Sequence, residues 1–352
     1  MIYIHIPFCA AKCPYCAFNS SVLRSAPHKQ YMQALIGQFL RDRELFNFGA
    51  SDSLYIGGGT PSIVAHALYK PLFQAISPFL NGDAEVTIEA NPNSLTLKWA
   101  EGIRAIGANR ISIGAQSFDN QKLRFLGRLH NGSEAQEAIK NAKNAGFSEI
   151  NVDLIYGVLG DTRDLLRRDL RTALECGATH ISAYTLTVEK NSAFYGRSDV
   201  AITDEKTERQ FCEAIEAAGL PRYEVSNFGK NPSRHNMGYW AGKDYLGIGS
   251  GATGTVKEGE NRLRYEPHKK FARYINDPFY KKIETIDQET FRAERLMLGA
   301  RCKIGFDRFL LNLREQQKAE VLLKEGLLAM RGDRYYNTDF RLADEIWLFL
   351  NG

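Results

Sequence analysis

The chain predicts an α/β fold built on a parallel sheet. Six short segments rich in β-branched residues recur along its first two-thirds. Between them lie stretches with apolar residues spaced near 3.6, the period of an amphipathic helix. The first strand-like segment runs straight into three cysteines, Cys9, Cys13 and Cys16. Strand–helix alternation implies parallel strands joined by right-handed crossovers. Periodicity alone does not separate a doubly wound sheet from a partial (β/α) barrel.

The six strands are expected at residues 2–6, 53–56, 84–89, 110–114, 149–156 and 180–186. Helices are expected between them, among them 31–45, 133–145 and 162–175. A helix at 205–218 and a strand at 222–225 follow, then a glycine-rich stretch from Gly247 to Gly254. The charged segment 257–264 reads as a surface loop. From about Gln288 the pattern changes: helices at 290–298 and 313–325 precede a hairpin at Arg331-Gly332-Asp333. These segments divide the chain into a core (1–225), an extension (226–287) and a small helical or winged-helix-like appendage (288–352).

A length of 352 residues suits one large domain plus a small one. Hydrophobic content of 44% and charged content of 24% are those of an ordinary globular chain. A net charge of +4 is too mild to argue for a nucleic-acid partner. There is no apolar run of about 18 residues, and no basic, apolar and cleavable leader opens the sequence. A reducing cytoplasm is the expected compartment, because thiolates that bind iron must stay free.

The cysteines stand in IHIPFCAAKCPYCAF, spaced C-x3-C-x2-C on one tight loop. Three thiolates so placed can hold three irons of a four-iron cubane and leave the fourth open to a small molecule. A structural zinc needs four closed ligands. The nearest fourth candidate, His5, precedes the loop inside the strand, and no second C-x2-C occurs. Six cysteines in 352 residues are too sparse for a disulfide framework. Cys176, Cys212 and Cys302 read as small buried hydrophobes.

In barrels, chemistry collects at the carboxyl ends of the strands. The second strand runs into Gly57-Gly58-Gly59-Thr60-Pro61, where glycines let backbone approach a ligand. A tight strand-to-helix turn with Pro61 at the first helical position is the structural alternative. Glu89 ends the third strand, Gln116 the fourth, and Asp153 sits among apolar neighbours in the fifth; Arg128 follows in FLGRLH. A carboxylate inside an apolar strand is costly unless paired or used. Taken singly, each of these residues fits a salt bridge or a cap. Four at matching strand ends point to one shared ligand.

The runs YIHIPFCAAKCPYCAF, YIGGGTPS, IEANP, GAQSF and NVDLIYG, in this order, resemble the oxygen-independent coproporphyrinogen III oxidase group of radical S-adenosylmethionine (SAM) proteins. The match covers most of the first 250 residues and extends weakly into the appendage. The resemblance implies a partial (β/α)6 barrel of the radical SAM type. It implies that Cys9, Cys13 and Cys16 ligate a [4Fe–4S] cluster that binds SAM and supplies an electron for its cleavage. It further implies a SAM site formed by Tyr3, Tyr15, Gly58, Gly59, Thr60, Glu89, Gln116, Arg128 and Asp153, with Tyr15 near the adenine.

Within the group the choice lies between the oxidase and the HemW-type heme chaperones. The oxidases carry a further cysteine two residues after the third, where this chain has Phe18, and a long extension before the cysteine loop, which here begins within ten residues of Met1. The run Arg234-His235-Asn236-Met237-Gly238-Tyr239-Trp240 matches the H-N-x-x-Y-W signature of the chaperone branch. Neutral imidazole is a common axial ligand of heme iron, which makes His235 the candidate heme ligand. Tyr239 and Trp240 offer porphyrin-packing faces and Arg234 a propionate partner. The structural alternative is that His235 caps a turn and the aromatics fill core. The segment Gly249 to Gly254 also fits G-x-G-x-x-G, but the polar TVKEGENRLRY after it lacks the helix that a dinucleotide site needs.

The expectation is a heme chaperone on a cluster- and SAM-binding scaffold. Its implied partners are heme, a heme-accepting apo-protein (a respiratory, membrane-associated recipient being one expectation) and a reductant protein for the cluster. The peripheral membrane surface is the site such delivery suggests. The alternatives are oxidative decarboxylation of coproporphyrinogen III and radical SAM chemistry on another substrate.

Overall fold

The computed structural model describes residues 1–22, 25–202 and 204–352. Its main sheet is built from β1 (Ile2–Ile6), β2 (Ser51–Gly58), β3 (Leu80–Ala90), β4 (Arg110–Gln116), β5 (Glu149–Tyr156), β6 (His180–Thr185), β7 (Asn227–Gly229) and β8 (Leu246–Ile248). The strand order is β8-β1-β2-β3-β4-β5-β6-β7. All neighbours are parallel except β6 and β7, which run antiparallel. The sheet stays open between β7 and β8, so the barrel is partial.

Six of these strands are the six expected from β-branched runs, in sequential spatial order. Their outward residues bury against the helices: Val86, Ile88 and Ala90; Ile111, Ile113 and Ala115; Ile150, Val152 and Leu154; Ile181 and Ala183. The covering helices include α1 (His28–Leu45), α2 (His66–Ile76), α3 (Leu97–Ala105), α4 (Gly132–Asn144), α5 (Arg163–Cys176) and α6 (Glu205–Ala217). Their ends are written locally. Asn131 and Glu134 form a capping box at the start of α4. Thr162 caps α5, which stops at Gly177 in the left-handed conformation (φ 116°).

The end of the core and the extension depart from expectation in three places. Residues 222–225 do not form a strand; Arg222 and Glu224 make single bridges to Phe228 and Cys302. Their side chains bond locally instead. Arg222 donates to the Glu224 and Val225 carbonyls, and Ser226 N donates to the Glu224 carboxylate. Such local bonds compete with a ladder. The glycine-rich stretch begins with β8, which adds a seventh parallel strand beside β1. Residues 257–264 are not a surface loop. They belong to a hairpin of β9 (Gly254–Glu258) and β10 (Asn261–Glu266), with β11 (Lys282–Ile286) completing an antiparallel sheet. The apolar members Val256, Leu263 and Tyr265 are buried, one face of a period-two alternation that the charges obscured.

The appendage contains α8 (Gln288–Ala300), α9 (Leu313–Lys324), a hairpin of β12 (Leu328–Arg331) and β13 (Arg334–Asn337), and α10 (Ala343–Asn351). It has its own core, including Leu296, Phe306, Leu322, Tyr335 and Ile346. Among the described residues no helix is long and apolar enough to cross a membrane.

Candidate functional site

A cavity of about 500 Å³ opens at the carboxyl ends of the strands and runs inward along the barrel axis. Cys9, Cys13, Tyr15, Cys16, Gly58, Gly59, Thr60, Glu89, Gln116, Arg128 and Asp153 all line it. The sequence therefore scattered one wall over some 150 residues, and the barrel gathers it.

The cysteine loop is held at both ends. Phe8–Cys9 pairs in parallel with Ser21–Val22, and Ser21 N donates to the Pro7 carbonyl (2.6 Å). Cys16 N donates to the Cys13 carbonyl (3.0 Å), which turns the chain between the last two cysteines. Asn19 donates to the carbonyls of Ser250 and Lys269, and Phe194 N donates to the Pro14 carbonyl. Gly59 is required by contact: a β-carbon there would lie 2.7 Å from the Phe8 carbonyl oxygen and 3.0 Å from Cys9 Sγ.

All three thiols are free and half-buried. Thr60 Oγ1 lies 3.6 Å from Cys9 Sγ and Arg128 Nη1 lies 3.4 Å from Cys13 Sγ, so two of the three sulfurs have a side-chain donor at hand. Burial pushes the Cys16 thiol up, and the neighbouring Cys13 and Cys9 add to this. Among the described residues no three His, Cys, Asp or Glu side chains close around one point. One zinc ion demands such a closed set, whereas a cubane takes one thiolate per iron. His5 is turned away from the thiols. Its Nδ1 lies 2.9 Å from the Tyr3 hydroxyl and its Nε2 lies 2.7 Å from the Asn19 carbonyl.

Two carboxyls face the cavity without a cation. Glu89 accepts from Tyr55 Oη (2.7 Å) and from Gly58 N (3.0 Å). Burial, with the nearby Asp153 charge adding to it, pushes its pKa up to about 7. Asp153 accepts from Asn151 Nδ2 (2.7 Å) and Ser112 Oγ (3.3 Å), and burial pushes it up to about 6. Among the described residues neither carboxyl forms an ion pair. A cationic ligand would relieve both, because opposite charge restores the ionised form. A sulfonium with an ammonium group, as in SAM, has that charge.

Arg128 bridges the cysteine loop to the sheet. Nη2 donates to the Gly114 carbonyl (2.7 Å) and Asn91 Oδ1 (3.0 Å), while Nη1 reaches Cys13 Sγ and the Tyr15 hydroxyl (3.4 Å). Its buried Nε has no partner among the described residues. Gln116 adopts φ 68° at the bulge that ends β4. A non-glycine residue in that conformation carries backbone strain of the kind that collects at functional sites. Tyr3 stands one step behind the wall, with its ring against Tyr55 (6.2 Å).

His235 is elsewhere. It is 1% exposed and lies in a short helix, α7 (Arg234–Trp240), under the amino ends of β2 and β3. Ser53 Oγ lies 2.9 Å from Nδ1 and Tyr239 Oη lies 3.0 Å from Nε2. Burial lowers its pKa to about 3, so the ring is neutral. The Tyr239 ring packs edge-on against His235 and Tyr245, and Arg234 pairs with Asp83 at the surface. Both ring nitrogens are thus hydrogen-bonded and the ring lies behind the cavity wall, stacked on Tyr55 (5.1 Å), while its neighbours Ser233 and Asn236 line the cavity. The G-x-G-x-x-G stretch is equally closed: Gly249 N donates to Gln38 Oε1 and Ser250 N to Tyr31 Oη. A strand, not a helix, follows it.

Several lining residues escaped the sequence reading: Tyr55, Thr87, Asn91, Arg110, Ser112, Asn151, His180, Ser182, Tyr184 and Asn227. The signal was present as a period of two. Thr87/Glu89/Asn91, Arg110/Ser112/Gly114/Gln116, Asn151/Asp153 and His180/Ser182/Tyr184 are alternate positions on four consecutive strands.

The comparisons agree with this geometry. Residues 3–173 match the model of the Radical SAM superfamily. The chain is 38% identical over 270 residues to the heme chaperone HemW of Escherichia coli (strain K12), covering 74% of this chain and 71% of that one. It is 31% identical to HemW of Buchnera aphidicola subsp. Acyrthosiphon pisum over 96% of this chain and 94% of that one. With HemW of Bacillus subtilis (strain 168) the identity is 31%, over 86% and 83%. Among solved structures, coproporphyrinogen III oxidase (HemN) from Escherichia coli, a radical SAM enzyme, superposes with a TM-score of 0.81 at 20% identity, covering 99% of this chain and 89% of that one. That likeness establishes the fold.

Proposed function

The chain belongs to the HemW family, on a radical SAM scaffold, and from that premise we propose that it is a heme chaperone which binds heme and passes it to apo-proteins. Membership implies a [4Fe–4S] cluster and SAM. One observation supports the scaffold's use most directly. Three free thiols, the carboxyls of Glu89 and Asp153 without an ion-pair partner, and the Arg128 guanidinium line a single cavity at the strand ends.

Cys9, Cys13 and Cys16 would hold three irons of the cluster, which supplies one-electron reduction when present. The chain's own groups then have separable tasks. Arg128 offers positive charge beside Cys13 and a partner for a carboxylate. Glu89 and Asp153 offer acceptors to an ammonium group or to ribose hydroxyls. Gly58 N–H orients Glu89, and Gly59 lets β2 approach the cysteine loop. Gln116 offers a donor and an acceptor at the bulge, Thr60 donates towards Cys9, and Tyr15 lends an aromatic face. Tyr3 acts at one remove, holding His5 and the end of the loop.

The recipient of heme is an apo-protein, which we take to be a respiratory, membrane-associated one, and a reductant protein would charge the cluster. The deciding experiment is a hemin titration of anaerobically reconstituted protein followed at the Soret band, then transfer to an apo-cytochrome. Saturable binding near one heme per chain with transfer is expected. Turnover of coproporphyrinogen III without saturable heme binding would overturn the chaperone role in favour of the oxidase.

A further inference from the structure

With both nitrogens of His235 already hydrogen-bonded, the cavity mouth offers a second place with chemistry suited to heme. Two residues beyond Cys16, Phe18 lines the mouth and is 68% exposed. Among the described residues no aromatic ring packs against it. Lone exposed apolar side chains are common, but an aromatic on the lip of a cavity of about 500 Å³ belongs to a concave apolar–polar site. Tyr184 (42% exposed), near the end of β6, and Leu186 and Thr187, which follow that strand, line the same cavity. Lys12, on the same loop as Phe18, lines the cavity, and its side chain makes no ion pair or hydrogen bond among the described residues. Glu189, after the sixth strand, is an exposed carboxylate of the same lining.

We propose that the mouth is the heme-docking platform: the Phe18 ring takes a face of the porphyrin, and Lys12 takes a propionate. This deepens the chaperone reading and rests on it. A porphyrin presents a broad conjugated face with two anionic groups on one edge. Aromatic rings offer such a face large contact area with offset packing. The charges fix the orientation. Propionates turn towards Lys12 and away from Glu189, and the macrocycle covers the entrance above the thiols. Heme seated there lies next to the SAM-binding wall, so occupancy of one site bears on the other. Cys176, Cys212 and Cys302 do not compete, since all three are buried.

The test is a hemin titration of reconstituted full-length protein, with iron content and SAM affinity as controls for folding. Phe18→Ala is expected to raise the hemin Kd roughly tenfold, the loss expected for one aromatic contact face. Lys12→Ala is expected to raise it about threefold, the range of an exposed ion pair. Phe18→Trp keeps the affinity and adds indole emission that hemin quenches stoichiometrically. If wild-type protein binds hemin and both alanine variants bind equally well, or if the new indole is not quenched, the platform is overturned while the chaperone reading stands. If wild-type protein shows no saturable binding, that reading falls and the platform falls with it.

Discussion

The mouth and the floor of the barrel use the same residue types to opposite ends. At the mouth, Arg128, Glu89, Asp153 and the three thiols keep capacity in reserve: an unpartnered Nε, two carboxyls without a cation, three free sulfurs. At the floor the polar groups close on one another. Glu85 accepts from Ser233 Oγ (2.9 Å), Arg234 N (2.9 Å) and His235 N (3.2 Å), which satisfies the first turn of α7. Arg110, whose side chain also reaches the cavity and keeps an open Nη2, lies 3.6 Å from Glu85 and 3.4 Å from Glu149, and both nitrogens of His235 are engaged. A buried polar group marks a ligand site when its valences are open, and marks architecture when they are filled.

The largest expected effect tests the mouth. Cys13→Ala removes one of three iron ligands. Iron and sulfide per chain should fall to background while circular dichroism stays that of the wild type. Full cluster content in this variant would break the assignment. His235→Ala tests the floor. It leaves Ser53 and Tyr239 without partners and opens a void, at a cost of roughly 2–4 kcal/mol. The urea midpoint should drop while hemin affinity per folded chain is unchanged. Lost hemin affinity in folded protein would return His235 to the heme site. Arg128→Met comes next: SAM affinity should weaken about tenfold or more by calorimetry, and the urea midpoint should also drop, because the Gly114 carbonyl and Asn91 Oδ1 lose their donor.

The smallest effect has opposite signs at the two ends. His235 has a pKa of about 3 against an ordinary 6.5. The unfolded chain therefore binds the extra proton, and this group's stability is lost as pH falls from 6.5 towards 3. Glu89 sits at about 7 against an ordinary 4.5. Here the folded chain binds the extra proton, so the group costs stability above pH 7 and the cost is relieved as pH falls towards 4.5. Glu89→Gln should raise the urea midpoint at pH 8 more than at pH 5 and weaken SAM binding. Equal midpoint changes at both pH values would show that Glu89 is not held up by burial.

Much of the mouth was legible because its signals are local. The cysteine spacing, the glycine run and the strand-end polar residues each sit within a few positions of one another. Most of the polar interior was missed, because Ser112, Asn151 and Ser182 are unremarkable in sequence; only a twisted sheet that turns alternate residues inward joins them. The surroundings of the α7 motif were hidden for a related reason. His235, Tyr239 and Arg234 are ligand-like residue types, and their spacing does not tell that Ser53, Tyr245 and Asp83 from other elements already satisfy them. The strand β8 was hidden by its glycines, which belong to the close approach of its ends: a β-carbon on Gly249 would lie 2.6 Å from the His5 carbonyl oxygen.

By itself, the sequence determined the six alternating units, the cysteine loop that follows the first, and the family. These rest on periods and spacings that a chain carries before it folds. Only the tertiary structure decided which polar groups remain open. Whether a nitrogen or a carboxyl is free depends on partners tens to hundreds of residues away, and burial sets the cost of leaving it so.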